Sequence, residues 1–457
     1  MKSIFAPLAL LPQGWAENVC IEIDQTGFIT AVTVNASEHH ANRVPGPILP
    51  GMPNLHSHAF QRAMAGLAEG IGQGTDSFWG WRQVMYGFLD RLTPDQLEII
   101  ATFLYIEMLK AGFTAVAEFH YIHHDPQGQP YTQRSELSTR LIAAAQSAGI
   151  GLTLLPVLYA YSNFGGQKAS TEQRRFITNA DQFMGIWQDL KPLCDDQPCI
   201  RLGVAPHSLR AVTPALLMEV LTAVDQADNT APIHIHLAEQ IREVEDCIAW
   251  SGLRPVEWAI AHLPLSDRWC LVHATHMNSE ECRQVAERGA IVGLCPTTEA
   301  NLGDGVFPAV EYFKCQGQFG IGSDSNISVS PIEELRWLEY GQRLSHQRRG
   351  VIGSPNTTSL GEFLYSGAIA GGAKALGQPI GRLQPGYRAD LVVLDPDLPT
   401  LLGASVPHLL NKTIFAGNQN PIRDVMTAGR WVVRDRHHPL ETKIYKTYRD
   451  LLKQLQD

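Results

Sequence analysis

The sequence has no Cys-x-x-Cys pair, no excess of positive charge, no apolar run near the roughly 20 residues that cross a bilayer, and no internal repeat or low-complexity linker. Each absence removes a class. Eight cysteines scattered over 457 residues read as reduced, structural thiols of a cytoplasmic protein, not as a disulfide framework. A net charge of −10 offers no broad basic face, so nucleic acid is excluded as a partner. An anionic substrate would then need locally placed arginines. Without a spanning run, no membrane partner is expected. The opening segment MKSIFAPLALLPQGWAENVC has one lysine and is broken by Pro7 and Pro12, so it reads as mature sequence and not as a signal peptide.

What is present is ordinary soluble composition, 44% hydrophobic and 18% charged, in a chain long enough for a large core. Residues 1–47 alternate as in CIEIDQTGFITAVTV, with a Thr-Gly turn, and predict hairpins. Residues 380–440 read similarly in GYRADLVVLDP and VMTAGRWVVRDR. Both ends are expected to form one small β-domain, and residues 441–457 a closing helix. The middle, 48–379, alternates strand and helix. Its strand candidates are ILPGMPNLHSH, FTAVAEF, GLTLLPVLY, IRLGVAP, PIHIHLAE, WCLVHATH, AIVGLCP and FGIGSD. Eight continuous apolar strands alternating with helices predict a parallel (β/α)8 barrel, with an open doubly wound sheet as the alternative.

Polar residues gather at the carboxyl ends of these strands, where a barrel builds its site. His56 and His58 are two apart and share a strand face. His234 and His236 share another; His236 lies nearer the strand end and is the preferred ligand, with His234 one layer deeper. Glu239 follows, where proton transfer is a better reading than a solvated side chain. His273 ends LVHATH, with His276 farther into the loop as a competitor. Asp324 sits in FGIGSDS, where an aspartate alone would read as a helix cap. Together the segments predict a divalent metal, Zn2+ first and Fe2+ second, beside a proton-transferring histidine. Such an ion lowers the pKa of a bound water to about 7. Cys295 is expected to support a strand end. The pairs His39-His40, His123-His124 and His437-His438 are expected to face solvent, and Trp79 and Trp81 to pack.

On PGMPNLHSH, HIHLAEQ, VHATH, GSDS and GRLQPGYRADLVVLDP, the chain resembles the amidohydrolase superfamily over nearly its whole length. The resemblance implies a distorted (β/α)8 TIM barrel with a small β-sandwich domain formed by both termini. It implies metal ligands at His56, His58, His236 and Asp324, and catalytic roles for Glu239, His273 and Asp324. The fourth strand, IRLGVAPHSLR, lacks the lysine of two-metal members, which favours one ion. The segments HSHAFQRAMAGLAEG, DSFWGWRQVMYGF, AEFHYIHH, APHSLRAV and CPTTEANLGDG are similar to the formimidoylglutamate deiminase family. That family hydrolyses N-formimino-L-glutamate, a dicarboxylate, to N-formyl-L-glutamate and ammonia in histidine degradation. The resemblance carries over substrate contacts at Gln61, Arg82, Tyr121, His207 and Arg210, with both arginines expected in loops at the barrel mouth. It also suggests a homodimer. The rival expectations are a deaminase of an amino-purine or related heterocycle on the same metal centre, and an inactive barrel kept for binding or assembly.

Overall fold

A computed structural model describes residues 2–38, 41–69, 78–353 and 358–456, with the side chains of 78–83 and 456 outside the description. All eight predicted barrel strands form. In chain order they are Met52–Ser57, Phe113–His120, Gly151–Leu158, Ile200–Leu202 continuing at Ala205–Pro206, Ile233–Leu237, Trp269–His273, Ile291–Leu294 and Gln318–Ile321. Their residues are nearly all buried, which is why they appear in the sequence as unbroken apolar runs instead of alternating ones.

Strands one to four pair in parallel as one sheet and strands five to eight as another. The cylinder closes by isolated parallel bridges. Val204↔Ile233 and Ser208↔His236 join the fourth strand to the fifth, and Ser57↔Asp324 joins the first to the eighth. Closure rules out the open doubly wound sheet. The barrel is distorted because its fourth strand is short and broken, and its two seams rest on isolated bridges.

Helices cover the outside, several with side-chain caps. Pro94–Ala111 starts with a Thr93/Gln96 capping box and Pro94 in the first turn. It ends at Gly112, whose φ of 104° turns the chain directly into the second strand. The helix Glu441–Gln456 packs on Pro94–Ala111, with Phe103 and Tyr448 stacked at 3.8 Å.

Both termini build one sheet, in the order Arg430–Val433, Ile422–Thr427, Leu391–Leu394, Ile48–Pro50, Lys2–Leu11, Gly14–Ile23 and Ile29–Thr33. The sheet folds over a core of its own, including Ile4, Val19, Ile21, Ile29, Leu391, Val393 and Met426. The fold-over brings Ile29 N–H to Tyr387 O and Ala389 N–H to Gly27 O. A buried Arg388–Asp390 pair at 2.6 Å, inside GYRADLVVLDP, holds the return from the barrel. Ile48–Pro50, assigned from the sequence to the barrel side, pairs with Lys2–Leu11 and Leu391–Leu394 instead. It is separated from the first barrel strand only by Gly51. That strand thus leaves the terminal sheet without an intervening loop.

Candidate metal centre and active site

His56 and His58 project from the end of the first strand to meet His236 at the end of the fifth and Asp324 just past the eighth. Ligand-capable atoms of all four lie within 4.8 Å of one another. His56 Nε2 is 3.0 Å from His236 Nε2, and both His56 Nε2 and His58 Nε2 are 3.3 Å from Asp324 Oδ1. Gly322 makes this approach possible, since a Cβ there would lie 2.8 Å from the His56 backbone.

The hydrogen bonds fix which nitrogens are bare. His58 Nδ1 donates to Phe119 O at 2.9 Å, and His236 Nδ1 donates to His207 O at 3.0 Å. A carbonyl only accepts, so in each neutral ring Nε2 carries the lone pair. His56 Nδ1 has no partner. Burial keeps these rings neutral: it holds His56 down at about 3, and lowers His58 and, with His56 and His207 beside it, His236. Burial alone would raise Asp324, but the hydrogen bond to His56 and the nearby His273 and His58 hold it below the usual carboxylate range. Converging lone pairs beside an ionised carboxylate, with few protons to share, are the donor set of a divalent cation. The four residues fit one.

His273, on the sixth strand, points Nε2 into the same space, 3.8 Å from Glu239 Oε1 and 3.8 Å from Asp324 Oδ2. Burial disfavours its charge, yet Glu239, Glu299 and Asp324 outweigh that and push it to about 10. Burial raises Glu239, against the pull of His273 and Arg210. Left-handed backbone recurs at these strand ends: φ is 51° at Ala238, 67° at His273 and 45° at Asp324. Such conformations cost about 1–2 kcal/mol each for L-residues and persist where packing enforces them.

These groups open into a cavity lined by His58, His236, Glu239, His273, Asp324 and Arg210. Gln61, Tyr121 and His207 line it too. Gln61 sits on the short helix Ala59–Met64 and donates to Tyr121 Oη at 3.0 Å, leaving its Oε1 without a partner. Arg210 lies in a turn after the fourth strand, and its buried Nε has no partner. Arg82 lies on the helix Phe78–Leu89 and not in a loop; its side chain, like those of Trp79 and Trp81, lies outside the described residues.

Other histidines sort by geometry. His234 bonds Ala375 O at 2.8 Å, one layer below the cluster, and His276 is not among the clustered donors. His123 and His124 do not face solvent: their rings bond Val157 O and Ile177 O at 2.8 Å each. His438 is buried on Ala148 O, while His437 is exposed. His39 and His40 lie outside the described residues. Cys295 is the residue before the helix Pro296–Leu302, and its sulfur lies among His273 and Asp324.

Four supporting carboxyl groups escaped the sequence reading. Glu299 accepts from His273 Nδ1 at 3.2 Å. Glu243 receives the N–H groups of Ala238 and Glu239 at 3.1 Å each. Glu118 receives Ala59 N–H at 2.6 Å and Tyr105 Oη at 3.2 Å. Asp304 accepts from the Gln240 side chain, and burial and then Glu239 push it up to about 9.

Comparison with known proteins agrees with this geometry. Residues 48–432 match the model described as Amidohydrolase family, and residues 1–44 match Formimidoylglutamate deiminase HutF, N-terminal domain. The chain is 53% identical over 458 residues to a formimidoylglutamate deiminase of Pseudomonas aeruginosa, covering 100% of each. It is 28% identical to an 8-oxoguanine deaminase of that organism, over 88% of this chain and 84% of the other. An amidohydrolase from Brucella melitensis has a solved structure with a TM-score of 0.95 at 47% identity, both chains being covered in full. A zinc-bound adenosine deaminase from Xanthomonas campestris shares the fold at a TM-score of 0.82 and 22% identity, over 99% of this chain and 98% of that one. The chain belongs to the amidohydrolase family, beside the formimidoylglutamate deiminases.

Proposed function

We propose that the chain catalyses the metal-dependent hydrolysis of N-formimino-L-glutamate to N-formyl-L-glutamate and ammonia, a step of histidine degradation. One observation carries the reading: a single cavity is lined by metal donors, by the acid–base candidates Glu239 and His273, and by Arg210 with an unpartnered buried Nε. A carboxylate is the natural complement of that guanidinium.

The family uses a divalent metal, which His56, His58, His236 and Asp324 would hold, and which when bound acidifies a water and polarises the amidine carbon. Asp324, held ionised, takes the proton that the attacking water gives up, and His273 lies beside it with its own proton in place. Glu239, whose proton burial helps retain, passes one to the imino nitrogen. The carbon becomes tetrahedral; His273 relays the new hydroxyl's proton to that nitrogen, the carbon–oxygen double bond forms as the carbon–nitrogen bond breaks, ammonia leaves, and the proton on Asp324 returns to Glu239. Arg210 and Arg82 hold the two carboxylates, while Gln61, Tyr121 and His207 orient the amidine end, so the reacting carbon is fixed against the water. Imidazole and carboxylate donors favour zinc, with iron as the second choice. A homodimer and a cytoplasmic location go with the family resemblance. Elemental analysis, light scattering and cell fractionation test these three points.

The decisive assay is ammonia release from N-formimino-L-glutamate, run against N-formimino-L-aspartate and a panel of amino-purines. Release from the glutamate derivative is expected. Release from a purine alone would make the chain a heterocycle deaminase, and release from none would make it a binding barrel.

A further inference from the structure

We propose that Glu299 is the positioning residue that fixes His273 for proton transfer. The proposal rests on the reading above in taking His273 as a proton carrier.

Glu299 lies on the short helix Pro296–Leu302 that follows the seventh strand, and it is buried. Its Oε1 receives His273 Nδ1 at 3.2 Å and the Cys295 N–H at 2.8 Å. The second bond anchors the carboxylate to the backbone of the strand end, so it cannot swing to follow the ring. A carboxylate accepts only, so Nδ1 must carry a proton, and Nε2 is turned toward Glu239 and Asp324.

The same helix ties the other half of the pair. Thr298 Oγ1 is 2.9 Å from Ser325 Oγ, and the Ser325 N–H donates to it at 3.3 Å. Ser325 directly follows Asp324. One seven-residue helix therefore sets the separation of His273 Nε2 and Asp324 Oδ2. Holding the Cys295 N–H alone would need no charge, since a neutral amide accepts as well. A buried carboxylate is costly unless it is paired, and the His273 ring is the partner it has.

Glu299→Gln keeps an acceptor of the same shape, and Glu299→Ala removes it. We expect kcat for ammonia release to fall at least about tenfold in Glu299→Gln and further in Glu299→Ala. KM should stay within about threefold, because Glu299 does not line the cavity and the loss falls on the chemical step. Bound metal, measured by elemental analysis, should stay at the wild-type ratio. The second readout needs no substrate. In protein labelled with nitrogen-15 histidine, an exchange-protected, downfield ring N–H of His273 should appear in the wild type and in Glu299→Gln. It should be absent from His273→Asn and from Glu299→Ala. A smaller fall in kcat, or survival of that resonance in Glu299→Ala, overturns the proposal. If the wild-type protein releases no ammonia from N-formimino-L-glutamate, the functional reading fails, and the resonance alone decides Glu299.

Discussion

Glu239 and Arg210 reach one cavity from different turns, and their separate tasks give separable phenotypes. Glu239→Gln keeps the shape but cannot cycle a proton, so turnover should drop about 10²–10⁴-fold while metal stays bound. Steady-state kinetics with elemental analysis checks this, and normal turnover would end the proton-shuttle role. Arg210→Ala should lower kcat/KM roughly 10- to 100-fold, the loss of one charge-assisted contact. An unchanged kcat/KM would remove Arg210 from the substrate. At this scale the sequence was informative where a residue ends an apolar run, as His56, His58, His236, His273 and Asp324 do. Glu299, Glu118 and Glu243 gave no such signal, because each reaches back to a backbone N–H or ring that only the fold brings near. His123 and His124 misled for the opposite reason. An adjacent polar pair reads as solvated until Val157 O and Ile177 O supply its partners.

Between elements, the loop after the first strand is held from the second. Glu118, near the end of strand Phe113–His120, grips Ala59 N–H, next to His58. Burial raises this carboxyl from its ordinary 4.5 to about 8, against bonds from Ala59, Ser57 and Tyr105. The folded protein therefore keeps a proton that the unfolded chain releases near 4.5. The stability this contributes is complete below that pH and is lost as pH rises to about 8. Glu118→Gln mimics the protonated group, so its urea midpoint should fall less than that of the wild type between pH 5 and pH 8. Equal pH slopes would show that Glu118 is ionised in the fold. The eight strands were legible as elements because full burial writes itself as an apolar run. The seam closures were not, since single bridges such as Ser57↔Asp324 leave no pattern. The short Ile48–Pro50 strand was assigned to the wrong neighbour, because three apolar residues next to a longer run carry no boundary of their own.

For the molecule as a whole, the candidate ligands coincide with those seams. Ser57↔Asp324 and Ser208↔His236 are where the two half-barrels meet, so one ion held by His56, His58, His236 and Asp324 cross-links both halves. Chelation should lower the melting temperature along with activity, and re-added divalent metal should restore both. Binding a thousandfold above Kd is worth about 4 kcal/mol. An unchanged melting curve after removal verified by elemental analysis would show that the ion does not brace the seams. Assembly order follows from the terminal sheet. Ile48–Pro50 runs straight toward His56 and His58 but is flanked by Lys2–Leu11 on one side and Leu391–Leu394 on the other. During synthesis, a nascent chain therefore carries His56 and His58 behind a half-dressed strand until Leu391–Leu394 emerges to cover its open edge.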